Sequence, residues 1–144
     1  MLRKSVHFLL VEDDDDHAEL IATGLLAENG IPKTVHRVRD GEAALAYLRR
    51  GAGNADHPRP NVVLLDLKLP RMGGHEVLAA IKSDASLRNI PVLVLTTSQT
   101  GEDKTRAYAC HVNSYLAKPL DYGEFRQMIR DLCRYWCMWN QLSD

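Results

Sequence analysis

The sequence predicts an α/β protein built on a doubly wound, five-stranded parallel sheet, and three observations carry that prediction. Apolar runs without polar alternation, typical of strands that helices cover on both faces, occupy residues 6–11, 62–65, 92–95 and 114–117. Helical patterns, with apolar residues three and four positions apart, separate these runs. A chain of 144 residues is about the size of one domain. We therefore expect residues 1–144 to form a single domain.

The first half of the chain supplies three strands and two helices. The strand at 6–11 precedes a helical pattern, and a second strand is predicted at 34–38. Asp40 is a suitable N-cap for the next helix. The connection 51–61 is rich in Gly, Pro and Asn and longer than most loops. Because it leads into the start of a strand, away from the carboxyl ends of the sheet, we assign it no chemistry. The apolar positions of the first helical pattern are Ala18, Ile21, Ala22 and Leu25.

The second half of the chain repeats the alternation of strand and helix. Gly73 and Gly74 precede a helical pattern, a weaker one covers 102–110, and a final helix begins near Asp121. Five βα units with right-handed crossovers favour the flavodoxin-like strand order 2-1-3-4-5. The third helical pattern consists of Val77, Leu78, Ile81 and Lys82.

The final helix and tail, residues 121–144, carry two apolar stripes. Asp121 and Glu124 form an acidic version of a capping box, which predicts where this extended helix begins. The first stripe has the spacing of a core face: Phe125, Met128, Ile129, Leu132, Cys133, Trp136 and Cys137. The second stripe begins one residue away and is expected on a different face: Tyr135, Met138, Trp139 and Leu142.

The second stripe raises the question of a partner. Aromatic residues and methionine are enriched in protein interfaces, and two tryptophans near a helix end would be costly to expose. We predict a homodimer contact through Tyr135, Met138 and Trp139. The alternative, left open by the sequence, is that the tail folds back and buries both stripes on its own domain.

Composition narrows the function classes. With 18 basic and 19 acidic residues the net charge is −1, so no overall field favours nucleic acid or an anionic membrane. No apolar stretch approaches the ~20 residues of a membrane span, and no signal peptide precedes the first strand. We expect a cytoplasmic protein with no nucleic-acid or membrane partner. Cys110, Cys133 and Cys137 match no disulfide or zinc spacing and are interpreted as reduced packing residues.

Polar residues follow four of the predicted strands at their carboxyl ends. They are Glu12, Asp13, Asp66, Thr96 and Lys118. In an open parallel sheet ligands bind beyond these strand ends, so the side chains should converge. Clustered carboxylates repel one another unless a cation offsets their charge, and Mg²⁺ prefers oxygen ligands. The sequence therefore predicts a site for a divalent cation and a phosphoryl group.

Not every acid in this region is expected to bind the cation. Asp14, Asp15 and Asp16 are interpreted as the cap and first turn of the following helix, where negative charge is favourable. Asp66 is different because it stands among apolar residues, and a lone carboxylate there is almost never left unpaired. Asp66 is therefore the acid to which we assign a function.

Four segments in this order resemble the receiver domain of two-component response regulators. They are residues 11–14 (Val-Glu-Asp-Asp), residues 65–70 (Leu-Asp-Leu-Lys-Leu-Pro) with 72–74 (Met-Gly-Gly), residues 95–97 (Leu-Thr-Thr), and residues 115–119 (Tyr-Leu-Ala-Lys-Pro). The resemblance extends from residue 6 to about residue 132. It implies that Asp66 accepts a phosphoryl group from a phosphohistidine on a sensor histidine kinase.

The resemblance also implies a role for each remaining site residue. Mg²⁺ would be held by Asp13 and Asp66, by the backbone carbonyl of Lys68, and by Glu12 through water. Lys118 would contact the phosphoryl oxygens. As switch residues, Thr96 would move toward the phosphoryl group and Tyr115 would turn inward. The protein would then be a phosphoacceptor rather than an enzyme, assisting only its own phosphotransfer and dephosphorylation.

A narrower resemblance concerns the tail and the long connection at 51–61. Both look like those of the single-domain response regulators that accompany bacterial phytochromes, some of which dimerise. This implies that the kinase is a bacterial phytochrome. Because no output domain is recognisable, the response would pass to an unknown downstream protein through altered contacts.

Two other classes of protein remain as alternatives. A Mg²⁺-dependent phosphohydrolase of the haloacid dehalogenase type also forms an aspartyl-phosphate on a parallel sheet. That family has a second aspartate two residues beyond the nucleophile, where this chain has Lys68. A flavodoxin-like nucleotide binder would need glycines in the first βα turn, where this chain has acids.

Overall fold

The computed structural model describes residues 5–28, 30–50 and 58–142, and the fold confirms the predicted class. Most of the connection predicted at 51–61 lies outside these residues. No helix within the described ranges is long and apolar enough to cross a membrane. The elements are β1 Val6–Val11, α1 Asp15–Ala27, β2 Lys33–Val38, α2 Gly41–Arg49, β3 Val62–Leu65, α3 Gly74–Ser83, β4 Val92–Thr96, α4 Gly101–Ala109, β5 Ser114–Ala117 and α5 Tyr122–Arg134, which continues into a π-helical turn, Tyr135–Trp139.

The five strands form one parallel sheet in the predicted order β2-β1-β3-β4-β5. Helices cover both faces, and each face has its own core. Leu9 and Val11 of β1 point into the core made with α2, α3 and α4, called the α2/α3/α4 core. Phe8 and Leu10 point into the core made with α1 and α5, called the α1/α5 core. Burial on both sides explains why the central strands have no polar alternation.

Side-chain caps fix where most of the helices begin. Asp14, Asp40 and Asp121 each accept a hydrogen bond from the backbone N–H three residues ahead, as expected of N-cap residues. Thr100 does the same for α4. Asp15, in the first turn of α1, forms ion pairs with two arginines of the β2 region. These contacts confirm the cap and first-turn roles predicted for Asp14 and Asp15.

The C-terminal helix departs from the predicted pattern after Arg134. The chain widens into the π-helical turn and leaves the helix at Asn140, whose backbone is extended. Tyr135, Met138 and Trp139, called here the C-terminal patch, are 52%, 56% and 76% exposed. Leu142, predicted on the same stripe, packs instead against the α1/α5 core. That prediction is wrong because helical spacing no longer applies once the helix has ended.

The three cysteines are free thiols, as expected from their spacing. Cys133 and Cys137 are buried in the α1/α5 core with their Sγ atoms 3.8 Å apart. The hydrogen bond with Cys137 lowers the pKa of Cys133 to about 7. Cys110 is half-buried against the other core.

Gly74 is required by the tight connection between β3 and α3. Its N–H donates to the carbonyl of Leu67 at 3.0 Å. A Cβ atom at Gly74 would lie 2.4 Å from the carbonyl oxygen of Asp66 and 2.5 Å from the Cα of Leu67. These are backbone atoms and cannot turn aside as a side chain does. A Cβ atom at the neighbouring Gly73 would meet nothing within 4 Å.

Asp103 anchors the first turn of α4. Its carboxylate accepts from the hydroxyl of Ser98 in the preceding loop and lies 3.0 Å from Nε2 of His75 on α3. The Ser98 hydroxyl, followed by the His75 ring, lowers the pKa of Asp103 to about 2. Three parts of the chain therefore meet at one carboxylate.

We predict that Gly74→Ala lowers the free energy of unfolding by about 1–3 kcal/mol, the usual cost of overpacking. The added methyl group must displace the backbone that carries Asp66. Gly73→Ala is the matched control: Gly73 is the N-cap of α3, where Ala is less favourable than Gly, so it should cost about 0.5–1 kcal/mol and less than Gly74→Ala. Urea unfolding measures both variants. Equal destabilisation by the two substitutions would contradict the close approach at Gly74.

We predict that Asp103→Asn destabilises the fold by about 1 kcal/mol at neutral pH. The folded-state pKa of Asp103 is about 2, below its usual 3.8. Its contribution is therefore fully present above pH 3.8 and is lost as the pH falls toward 2. Urea unfolding from pH 7 to pH 2.5 should show the difference between variant and wild type shrinking below pH 4. Glu102→Gln, a neighbouring exposed acid in the same turn, is the control, and a difference independent of pH would contradict the assignment.

Candidate functional site

Three carboxylates meet at the carboxyl ends of β1 and β3. Glu12 and Asp13 follow β1, and Asp66 follows β3. The two strands are neighbours in register, and the N–H of Asp66 donates to the carbonyl of Val11 at 3.1 Å. One side-chain oxygen from each acid lies within 4.8 Å of the other two. The structure thus brings together the three acids singled out in the sequence.

Lys118 lies in the middle of this cluster. Its Nζ is 2.5 Å from Oε1 of Glu12 and 3.0 Å from Oδ2 of Asp66. The side chain is buried, and its backbone N–H donates to the carbonyl of Thr96 at 2.7 Å. Because Lys118 is a strand-end residue followed by Pro119, the extended backbone directs its stem into the crevice. A lysine of this kind is a component of the site rather than a surface cation.

Burial makes the charges of this cluster hard to accommodate. Glu12 is only 1% exposed. Desolvation raises its pKa to about 7, the charge of Asp66 adds to the rise, and Lys118 opposes it. Three carboxylates share the ammonium of Lys118, so the cluster has an excess of acidic groups. An all-oxygen donor set with surplus negative charge fits a hard divalent cation such as Mg²⁺ or Mn²⁺.

Asp66 is held in one orientation from both sides. Its Oδ1 accepts from the backbone N–H of Lys68 at 3.1 Å. Its Oδ2 accepts from the ammonium of Lys118. The carboxylate, which is 6% exposed, is thus fixed at the edge of the sheet. The metal-ligand role implied for the carbonyl of Lys68 stays a prediction.

Thr96 and Tyr115, the two expected switch residues, are joined through Ser98. Thr96 is buried at the end of β4, and its Oγ1 accepts a long hydrogen bond of 3.4 Å from the N–H of Ser98. Tyr115 on β5 is half-buried against the α2/α3/α4 core, and its hydroxyl donates to the carbonyl of Ser98 at 2.9 Å. The C-terminal patch lies apart from this group, on the π-helical turn.

Two residues at the site were not anticipated from the sequence. His17, in the first turn of α1, places Nδ1 2.9 Å from Nζ of Lys118. It stands four residues before the buried Ile21, so helical spacing could have placed it on the inward face. Ser98 offered no comparable signal, because a serine in a connecting loop is ordinary.

Comparison with known proteins identifies a family. The family model described as "Response regulator receiver domain" matches residues 8–130. The probable methanogenesis regulatory protein FilR2 of Methanothrix harundinacea is 47% identical over 133 residues, which are 92% of this chain and 84% of that protein. Response regulator Rcp1 of Synechocystis is 40% identical over 128 residues, covering 89% of this chain and 86% of Rcp1.

Solved structures of response regulators are also similar to this chain. The phosphorylated cyanobacterial phytochrome response regulator RcpA superposes with a TM-score of 0.91 at 39% identity, covering 97% of this chain and 99% of RcpA. The Mn²⁺-bound form of Rcp1 gives a TM-score of 0.89 at 37% identity, covering 96% and 99%. Phytochrome response regulators are thus among the similar proteins. The chain belongs to the response regulator receiver domain family.

Proposed function

We propose that Asp66 accepts a phosphoryl group from a phosphohistidine on a sensor histidine kinase, with Mg²⁺ at the acid cluster. Membership of the receiver family supports a role in a phosphorelay. The observation that carries the finer assignment is the Asp66 carboxylate, buried and fixed beside two further acids and the Lys118 ammonium. The proposed role is that of a signalling phosphoacceptor, with no chemistry beyond its own phosphorylation and dephosphorylation.

The reaction needs positioning and charge neutralisation more than covalent assistance. Phosphoryl transfer passes through a loose transition state with its attacking and leaving atoms in line. An oxygen of Asp66 forms the new P–O bond as the P–N bond of the donor breaks, and the imidazole leaves with that electron pair. Lys68 and Lys118 hold the Asp66 carboxylate for this approach.

The acid cluster fits a bound Mg²⁺ ion. Asp13 and Asp66, the carbonyl of Lys68, and Glu12 through water would hold the ion, which supplies two positive charges to the acids and phosphoryl oxygens when bound. Three carboxylates beside one ammonium support this reading, because they leave an excess of acidic groups for a cation to neutralise.

Phosphorylation is then communicated through Thr96 and Tyr115. The Thr96 hydroxyl accepts a long hydrogen bond from the N–H of Ser98, which leaves its own O–H to donate to a phosphoryl oxygen. Ser98 also holds the Tyr115 hydroxyl, and movement of Thr96 is therefore passed to Tyr115 and to the loop before α4. This is a local charge change acting on a packed element.

The proposed kinase partner is a bacterial phytochrome. Support comes from RcpA, a phytochrome response regulator that resembles this chain over nearly its whole length. The signal would pass onward to an unknown downstream protein through altered contacts.

The C-terminal patch is proposed as a homodimer contact. Tyr135, Met138 and Trp139 are each more than half exposed, and each could contribute about 1.5–3 kcal/mol when buried, before the cost of association. A two-fold arrangement that pairs the same patch on both protomers is the commonest solution. It would place the contact on the continuation of α5, outside the acid cluster.

We predict that Asp66→Asn abolishes phosphate incorporation from acetyl phosphate, because the neutral amide lacks the carboxylate oxygen that attacks phosphorus. Removal of divalent cations with EDTA should have the same effect on the wild type. Asp16→Asn is the control, since Asp16 is an exposed acid of α1 outside the cluster, and it should label normally. Acid-labile label, counted after gel filtration, is the measurement. Full labelling of Asp66→Asn would show that Asp66 is not the phosphoryl acceptor.

We predict that replacing Tyr135, Met138 and Trp139 together with serine yields a folded monomer, because the substitutions remove the apolar surface of the contact. Leu26→Ser is the control, as Leu26 is an exposed apolar residue elsewhere. Sedimentation velocity at micromolar concentration reports the mass, and far-UV circular dichroism reports the fold. A wild type that sediments as a monomer, with and without beryllofluoride, would refute the dimer.

A further inference from the structure

The ammonium of Lys118 has a third partner that the proposed function leaves unused. A lysine ammonium has three N–H donors, and Nζ of Lys118 lies within 3.0 Å of three acceptor atoms: Oε1 of Glu12, Oδ2 of Asp66 and Nδ1 of His17. We propose that His17 is a positioning residue that fixes the ammonium between the two carboxylates. This deepens the proposed function and rests on it, because it matters to phosphorylation only if Lys118 acts at Asp66.

The contact determines which form of the imidazole is present. An ammonium group can only donate hydrogen bonds, so Nδ1 of His17 must offer its lone pair. The ring is then neutral, with its proton on Nε2. A neutral acceptor holds Lys118 from a third side without adding negative charge to the cluster. An aspartate or glutamate at this position would add a charge and further neutralise the ammonium.

The imidazole is itself held by two helices. At the start of α1, the backbone N–H of His17 donates to Oδ1 of Asp14 at 3.0 Å. From α5, the ring of Phe125 meets the imidazole edge-on, with ring centroids 5.8 Å apart. These contacts restrict both the backbone and the ring, so Nδ1 has a defined direction. The position of Nζ therefore depends on how α1 and α5 meet.

Without His17, the third N–H of Lys118 would face the groove between α1 and α5. His17 and Lys118 line this groove together with Phe125. Water could then take the place of the imidazole, but it would not be held by the two helices. The ammonium would keep its carboxylate partners and lose its fixed position, which should slow a reaction that depends on alignment.

The test uses His17→Ala and His17→Asn in the whole chain. The side-chain oxygen of asparagine can stand near the place of Nδ1, so Asn restores an acceptor that Ala removes. With acetyl phosphate and Mg²⁺, we expect Ala to lower the phosphorylation rate roughly ten-fold and Asn to recover most of that loss. Glu19→Gln, an exposed position of the same helix, should label at the wild-type rate. Equal rates for Ala and wild type, or equal losses in Ala and Asn, would overturn the proposal.

A second measurement does not depend on phosphorylation. Long-range ¹H–¹⁵N spectra of the wild type at neutral pH should show His17 with its proton on Nε2 and an unprotonated Nδ1. The ¹⁵N signal of Lys118 should shift in His17→Ala and return toward the wild-type position in His17→Asn. A proton on Nδ1, or an unchanged Lys118 signal in Ala, would overturn the inference. If the spectra agree but the wild type takes no label on Asp66, the proposed function fails while the positioning contact stands.

Discussion

The Lys118 ammonium, buried between carboxylates at the end of the sheet, is the interaction on which the site depends. An isolated buried ammonium or carboxylate is very costly, yet here Lys118, Glu12 and Asp66 come together from three strand ends with little exposure. Each charge is tolerable because the others are present, but the balance is incomplete, since three carboxylates face one ammonium. A site with more carboxylates than ammonium groups fits a divalent cation.

The sheet makes this arrangement possible because apolar cores occupy both of its faces, which leaves the strand ends as the place for polar side chains. The central strands β3 and β4 are apolar up to their last residues, since both faces are covered by helices. In these two strands polar residues enter only where the strand stops. The parallel order β2-β1-β3-β4-β5 puts all those stops at one edge. Neighbouring strands then bring Asp13, Asp66 and Thr96 to that edge.

The fold and the acid cluster were accessible from the sequence because both follow from periodicity. Strand runs, strand order and the cap at Asp14 depend on local pattern and topology, and the structure agrees with each. Contacts that depend on where a loop or a distant helix packs were not accessible. The partnership of His17 with Lys118 spans 101 residues of sequence, and Ser98 joins Thr96 to Tyr115 from within a loop. The predicted position of Leu142 was wrong because the apolar spacing of the last helix gives no sign of its π-helical turn.

That π-helical turn affects how the end of the protein can change over evolution. A π turn takes up one more residue than an α turn while keeping the chain hydrogen-bonded, so it behaves as a tolerated insertion. Cys137 stays in the α1/α5 core inside the turn, whereas Tyr135, Met138 and Trp139 face outward. Gain or loss of one residue here would rotate the outward side chains about the helix axis and leave the acid cluster undisturbed. The orientation of the C-terminal patch can therefore diversify separately from the chemistry of the receiver.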